Sequence, residues 1–174
     1  MQMLKNLKKL LQKSESREVQ IDTNSTLKED ISERIQTVEE YSEIKFPNSY
    51  ISFIKENNVG VPITNRFTSN NHSYVIDRFL GFVNEYKTSS LGAYDIAVVL
   101  SEIDTRLTDN PDLEGDELIP IAILFAGDYV CLDFTENKSE PSVCIWSHEE
   151  SEEFEPVTYK VADTFSDFIA LLEE

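Results

Sequence analysis

Among 174 residues there are only two cysteines, two histidines and five glycines, and bases number fifteen against thirty-three acids. Each shortage closes a class of function. Two cysteines are too few for a disulfide scaffold, and Cys131 and Cys144 form no Cys-x-x-Cys metal pair. With His72 and His148 alone, no second histidine stands at the helical spacing a zinc protease needs. No glycine-rich phosphate loop or nucleophile elbow occurs. No apolar run reaches the length of a membrane span. The start, MQMLKNLKKLLQKSE, interleaves bases with leucines, unlike a signal peptide, which puts its bases before an unbroken apolar stretch. The expected compartment is therefore the cytoplasm, with both cysteines reduced. A net charge of −18 and a pI near 4.4 would repel a phosphate backbone, so direct contact with nucleic acid is not expected.

What is present belongs to one globular domain. Apolar residues make up 40% and charged residues 28%, and ten Phe with seven Tyr argue against disorder. The charge is divided unevenly. Residues 1–17 hold five bases and one acid, +4, and residues 18–174 hold ten bases and thirty-two acids, −22. Met3, Leu4, Leu7, Leu10 and Leu11 recur at helical spacing among Lys5, Lys8, Lys9 and Lys13, which predicts a short basic amphipathic helix. Such a helix can lie on a membrane surface, but charge complementarity favours docking on the acidic body of its own domain. Residues 14–25 read as a linker or a short edge element.

Leu27, Ile31, Ile35 and Val38 predict a helix, with Thr26 and Glu29 in a capping-box pattern. FPNSYISFIKENNVG (46–60) predicts a second, opened near Pro47 and ended by Asn57, Asn58 and Gly60. Short strands are expected over 61–85, and 92–104 is open to helix or strand, with helix preferred. The stretch 108–117 reads as a loop. ELIPIAILFAGDYVCLDF (117–134) reads as a hairpin turning at Gly127-Asp128, followed by strands at 142–147 and 156–161. Thr164 and Asp167 mark the cap of a closing helix with Phe165, Phe168, Ile169 and Leu172 on its apolar stripe. Helices, then strands, then one helix indicate an α+β domain with a mainly antiparallel sheet.

The strands near 129–134 and 141–146 carry a register prediction. Centring their loop on Asn137-Lys138 makes opposite residue numbers sum to 275. Val130 then faces Ile145, Leu132 faces Val143 and Phe134 faces Pro141 on one apolar face. On the other, Tyr129 faces Trp146 and Cys131 faces Cys144. Helices are expected to cover that second face too, although part of it could line a cleft.

No residue set marks an enzyme. A calcium loop from Asn110 fails because Ile121 occupies the twelfth position, where a Glu is required. His148 and Glu149 read as a structural turn, and no cofactor or metal is expected. What remains is acid density. Residues 102–117 carry seven acids (Glu102, Asp104, Asp109, Asp112, Glu114, Asp116, Glu117) against Arg106. Residues 133–155 carry eight (Asp133, Glu136, Glu140, Glu149, Glu150, Glu152, Glu153, Glu155) against Lys138. The plain reading is two solvated loops. The sharper one is a surface whose self-repulsion a cationic partner would relieve.

Four stretches resemble the SUKH superfamily, the group related to the fungal cell-wall assembly regulator. FPNSYISFIKENNVG resembles its Leu-Pro-x-x-Tyr helix ending in Asn-Gly-Gly, and RFLGF (78–82) its strand ending in Gly. ELIPIAILFAGDYVCLDF with CIWSHE resembles its Ile-Pro-Ile-Ala, Gly-Gly-Asp and Trp-x-His-Glu signatures, and VADTFSDFIALL its closing helix. Together they span about residues 39–172. Val59 and Ala126 depart from the pattern, each standing where a glycine is usual. The resemblance implies one α+β domain without an established active site. Bacterial members of this kind typically act as immunity proteins of polymorphic toxin systems, often against nucleases, while others serve as protein-interaction modules. The expected partner is therefore a cognate basic toxin, a nuclease domain. The acids expected to meet it are Asp104, Asp109, Asp112, Glu114, Asp116, Glu117, Glu136, Glu140, Glu149, Glu150, Glu152 and Glu153. A regulatory or scaffolding module is the alternative.

Residues 1–17 lie outside the resemblance and carry the opposite charge. A chain starting at Glu18 is expected to keep one cooperative thermal transition by circular dichroism, and its loss would place the basic segment in the core.

Overall fold

The computed structural model describes residues 18–112 and 117–174, so the basic helix expected over 1–17 lies outside the described residues. β1 (Ile21–Asp22) pairs antiparallel with β2 (Val61–Pro62), which makes the 14–25 stretch in part an edge element. β3 (Arg66–Ser69), β4 (His72–Phe79), β5 (Leu118–Leu124), β6 (Tyr129–Asp133), β7 (Ser142–Trp146) and β8 (Thr158–Ala162) follow one another in chain order across a single antiparallel sheet. Four helices accompany them among the described residues: α1 (Ser32–Ser42), α2 (Asn48–Asn57), α3 (Ile96–Leu107) and α4 (Phe165–Ala170). This is the α+β domain expected.

The 275 register holds along the whole β6–β7 pair, with Tyr129 opposite Trp146, Cys131 opposite Cys144 and Leu132 opposite Val143. Antiparallel partners share a face. Tracing partners outward puts Phe67, Tyr74, Ile76, Leu124, Val130, Ile145 and Tyr159 on one face. α2 and α4 pack there, through Phe53 on Phe79 and Phe168 on Phe67. The other face is covered as well. Trp146 is fully buried, its Nε1 donates to the Arg106 carbonyl of α3 at 2.9 Å, and the Arg106 guanidinium lies 5.0 Å from its ring. Cys131 and Cys144 are buried free thiols on this side. Burial, and after it the neighbouring thiol and Asp133, push the Cys131 thiol well up. Burial likewise pushes up that of Cys144, so both stay protonated and unreactive.

The helix starts are set by side chains. Thr164 accepts from the Asp167 N–H and opens α4 as expected. The Thr26–Glu29 capping box does not form. The Thr26 hydroxyl donates to the Thr23 carbonyl, Glu29 accepts from the Asn84 N–H, and α1 begins at Ser32 behind an Asp30 that accepts from the Ser32 N–H. A long-range backbone donor thus captured the Glu that local spacing assigned to the cap. Asp95, fully buried, opens α3. Its carboxylate accepts from the N–H groups of Ala97 and Val98, takes the Val83 N–H at 2.8 Å, and receives both-oxygen hydrogen bonds from Arg34 of α1 at 2.7 Å.

Both departures from the family's glycines adopt the left-handed conformation those glycines suit: Val59 at φ 53° and Ala126 at φ 69°. A side chain there costs about 1–2 kcal/mol. Ala126 is exposed, so Ala126→Gly relieves that cost and gives back only about 0.4–1 kcal/mol to unfolded-chain entropy. A net gain of about 0.5 kcal/mol is expected, read as a rise of about 1–2 °C in Tm. Val59 is fully buried, so Val59→Gly also forfeits about 1.5–3 kcal/mol of apolar burial and is expected to give no gain. Asp95→Asn leaves Arg34 without its counter-charge and is expected to cost about 3 kcal/mol, lowering Tm by about 10 °C in the same melt.

Candidate functional site

The two acid-rich sequence segments are redistributed in space. β5, β6 and β7 run antiparallel, so Glu117 and the 134–141 loop lie at one end of the sheet. The 125–128 turn and the 147–157 loop lie at the other. A five-residue strand separates the two ends by about 16 Å. The 133–155 cluster is therefore two clusters. The 102–117 cluster is divided as well, because the end of α3 is fastened to the 147–157 loop. Arg106 donates from Nε and Nη2 to the Ser151 carbonyl at 3.2 and 2.8 Å, and from Nη2 to the His148 carbonyl. The Phe154 N–H reaches the Thr105 carbonyl at 2.6 Å.

At the 134–141 end the acids have cations beside them. Glu117 pairs with Lys138 at 2.8 Å, and Asp163 with Lys160 at 2.7 Å, the latter holding the exposed Asp163 carboxyl below its ordinary value. Glu136 and Glu140 are exposed on the rim of a groove that Lys160 also lines. At the turn end the balance differs. Glu149, Glu150, Glu152 and Glu153 are all exposed, with Asp104 half-buried and Asp109 exposed close to the fastened end of α3. None of these six forms an ion pair among the described residues. Arg106 is close by, but its guanidinium is spent on Trp146 and backbone carbonyls. Asp112 is exposed on the loop after α3, and Glu114 and Asp116 lie outside the described residues.

Two further arginines, Arg34 and Arg78, are half-buried and engaged on rings and inward-facing acceptors. Arg34 lies on Tyr86 and Asp95, and Arg78 lies 4.6 Å from the Tyr94 ring while donating to the Val59 carbonyl. Their charge is turned inward while the carboxylates face out.

The turn end also holds a cleft of about 450 Å³ that acid counting did not find. Tyr74 of β4 and Tyr159 of β8 both line it, although three strands stand between them, so the sheet curls about this face. Asp128 and Glu150 complete the wall. Glu150 accepts from the Tyr159 hydroxyl at 2.7 Å, and Asp128 from the His148 N–H at 2.8 Å. Desolvation, then Asp128 and Glu150, push the Tyr74 phenol up. Tyr159 is pushed up chiefly by its bond to Glu150. Only Asp128, as half of the Gly127-Asp128 turn, and Glu150, as one acid among eight, carried a signal in the sequence. No periodicity distinguishes the two tyrosines.

No group of three or more metal-ligating side chains occurs among the described residues, and no described helix is long and apolar enough to cross a membrane. A family profile described as SUKH_6, SMI1-KNR4 cell-wall, matches residues 32–169. No curated protein matches the chain.

Proposed function

Because the chain belongs to the SUKH family, we propose that it is a non-catalytic immunity protein of the cytoplasm that binds and neutralises a cognate basic toxin of nuclease type. The observation that carries this reading is the acid field at the turn end of the sheet, Glu149, Glu150, Glu152 and Glu153 with Asp104 and Asp109, which forms no ion pair among the described residues. A nuclease must present positive charge to hold phosphate, and carboxylates at this density stand in for that phosphate. Glu117, Glu136 and Glu140 contribute less, since Lys138 and Lys160 lie among them. Asp112 belongs to the same proposal, as do Glu114 and Asp116.

Steering charges act mainly on association, raising it to about 10⁸–10⁹ M⁻¹s⁻¹ at low salt from about 10⁵–10⁶ M⁻¹s⁻¹ without them. Their reach contracts to about 8 Å at physiological ionic strength. The partner is first captured by pull-down from the producing cells, where a single basic protein is expected and a broad set would indicate a scaffolding module. Stopped-flow mixing with that partner then compares the wild type with a variant carrying Gln at 149, 152 and 153. The variant is expected to associate at least about tenfold more slowly at low salt, with dissociation changed less than about threefold. Equal association rates at every salt concentration would sink the steering reading.

A further inference from the structure

We propose that the cleft between Tyr74 and Tyr159 receives one arginine side chain from the protein partner, making it the anchoring pocket of the interface. The partner's identity rests on the toxin-binding reading; the pocket's chemistry stands on its own geometry. The cleft has three elements that a guanidinium requires. It offers two aromatic rings, Tyr159 at 40% exposure and Tyr74 half-buried, reached from solvent on one side. It offers two carboxylates, Asp128 and Glu150, neither in an ion pair among the described residues. Among the described residues it contains no lysine or arginine of its own, with His72 the one basic group on its wall.

Each carboxylate keeps acceptor capacity. Asp128 spends Oδ1 on one backbone N–H, and Glu150 spends Oε2 on one hydroxyl. A carboxylate has about four lone-pair positions, so a planar fork of N–H donors finds acceptors on either wall while its face lies on a ring. An ammonium satisfies only part of this, being a point charge without a stacking face. The chain itself stacks arginine in this way, with Arg34, Arg78 and Arg106 lying 5.1, 4.6 and 5.0 Å from the rings of Tyr86, Tyr94 and Trp146.

The surroundings fit the centre of an interface. Phe125, 78% exposed at the tip of the β5–β6 turn, lines a second groove that shares Tyr74 and Asp128 with the cleft. Aromatic anchors at the centre with charge around them are the arrangement that concentrates binding energy, and arginine is among the residues most enriched at such positions. Glu149, Glu152 and Glu153 would then steer, while Tyr74, Tyr159, Asp128 and Glu150 hold.

The test uses the full chain and three capped tripeptides, acetyl-Gly-X-Gly-amide with X arginine, lysine or citrulline, followed by amide NMR. Citrulline keeps the shape of arginine and removes its charge. The arginine peptide is expected to shift the amides of Ser73, Tyr74, Asp128, Ser147, Glu150 and Tyr159, with a dissociation constant on the order of 1 mM. The lysine peptide should bind several-fold more weakly, and the citrulline peptide should give no saturable shift. Tyr159→Leu and Glu150→Gln change exposed positions, and the spectrum itself reports whether each variant is folded. Each should weaken the arginine peptide by about tenfold. Shifts centred elsewhere, equal responses to arginine and citrulline, lysine binding as tightly as arginine, or no response up to about 20 mM would each overturn the assignment. No toxin enters this titration, so its failure is separate from failure of the steering reading, which is decided by salt-dependent association rates.

Discussion

Asp95 is a carboxylate with no exposed surface, and the arrangement of the helices depends on how its charge is satisfied. Removing an ion from water costs several kcal/mol unless every lone pair finds a partner. Here the partners come from three places at once: Arg34 on α1, the Val83 N–H after β4, and the first turn of α3. A helix that leaned differently would leave the charge unmet. α3 is thereby held against the sheet, its far end presents Arg106, and Arg106 fastens the loop that carries Glu149–Glu153. The buried ion pair and the loop that carries the acid field thus stand at opposite ends of one helical segment, which bends at Ile103.

Asn58 plays the corresponding neutral role at the C-terminal end of α2. Its amide group exchanges hydrogen bonds with the Phe82 backbone, donating to the carbonyl at 2.7 Å and accepting from the N–H at 2.8 Å. The close passage needs Gly81, where an added Cβ would stand 2.0 Å from the Asn58 Oδ1. Two family signatures, the asparagine that ends the second helix and the glycine that ends the RFLGF strand, are therefore halves of one contact.

The charge pattern gains its meaning from the fold. Lys138 and Lys160 pair with Glu117 and Asp163 at one end of the sheet, while among the described residues no acid at the turn end forms an ion pair. An interaction surface needs both a field and a feature to hold, and the curl of the sheet supplies the second by bringing Tyr74 and Tyr159 to one cleft.

Local rules were enough for the elements whose partners are close in sequence. The β6–β7 register followed from loop length and alternation, because side chains repeat every two residues and a one-residue slip would put Val130 and Leu132 on the wrong face. The Thr164 cap followed from three-residue spacing, and the family resemblance located α2 and the β5–β6 turn. The same rules misplaced the Thr26–Glu29 cap, since Glu29 bonds Asn84, fifty-five residues away. They also counted 133–155 as one acidic cluster, whereas a strand divides it. Composition determined that the surface would be acidic. Only the tertiary structure decided which acids stand together without an ion pair among the described residues, because ion pairing depends on distances across strands and helices that residue numbers do not encode.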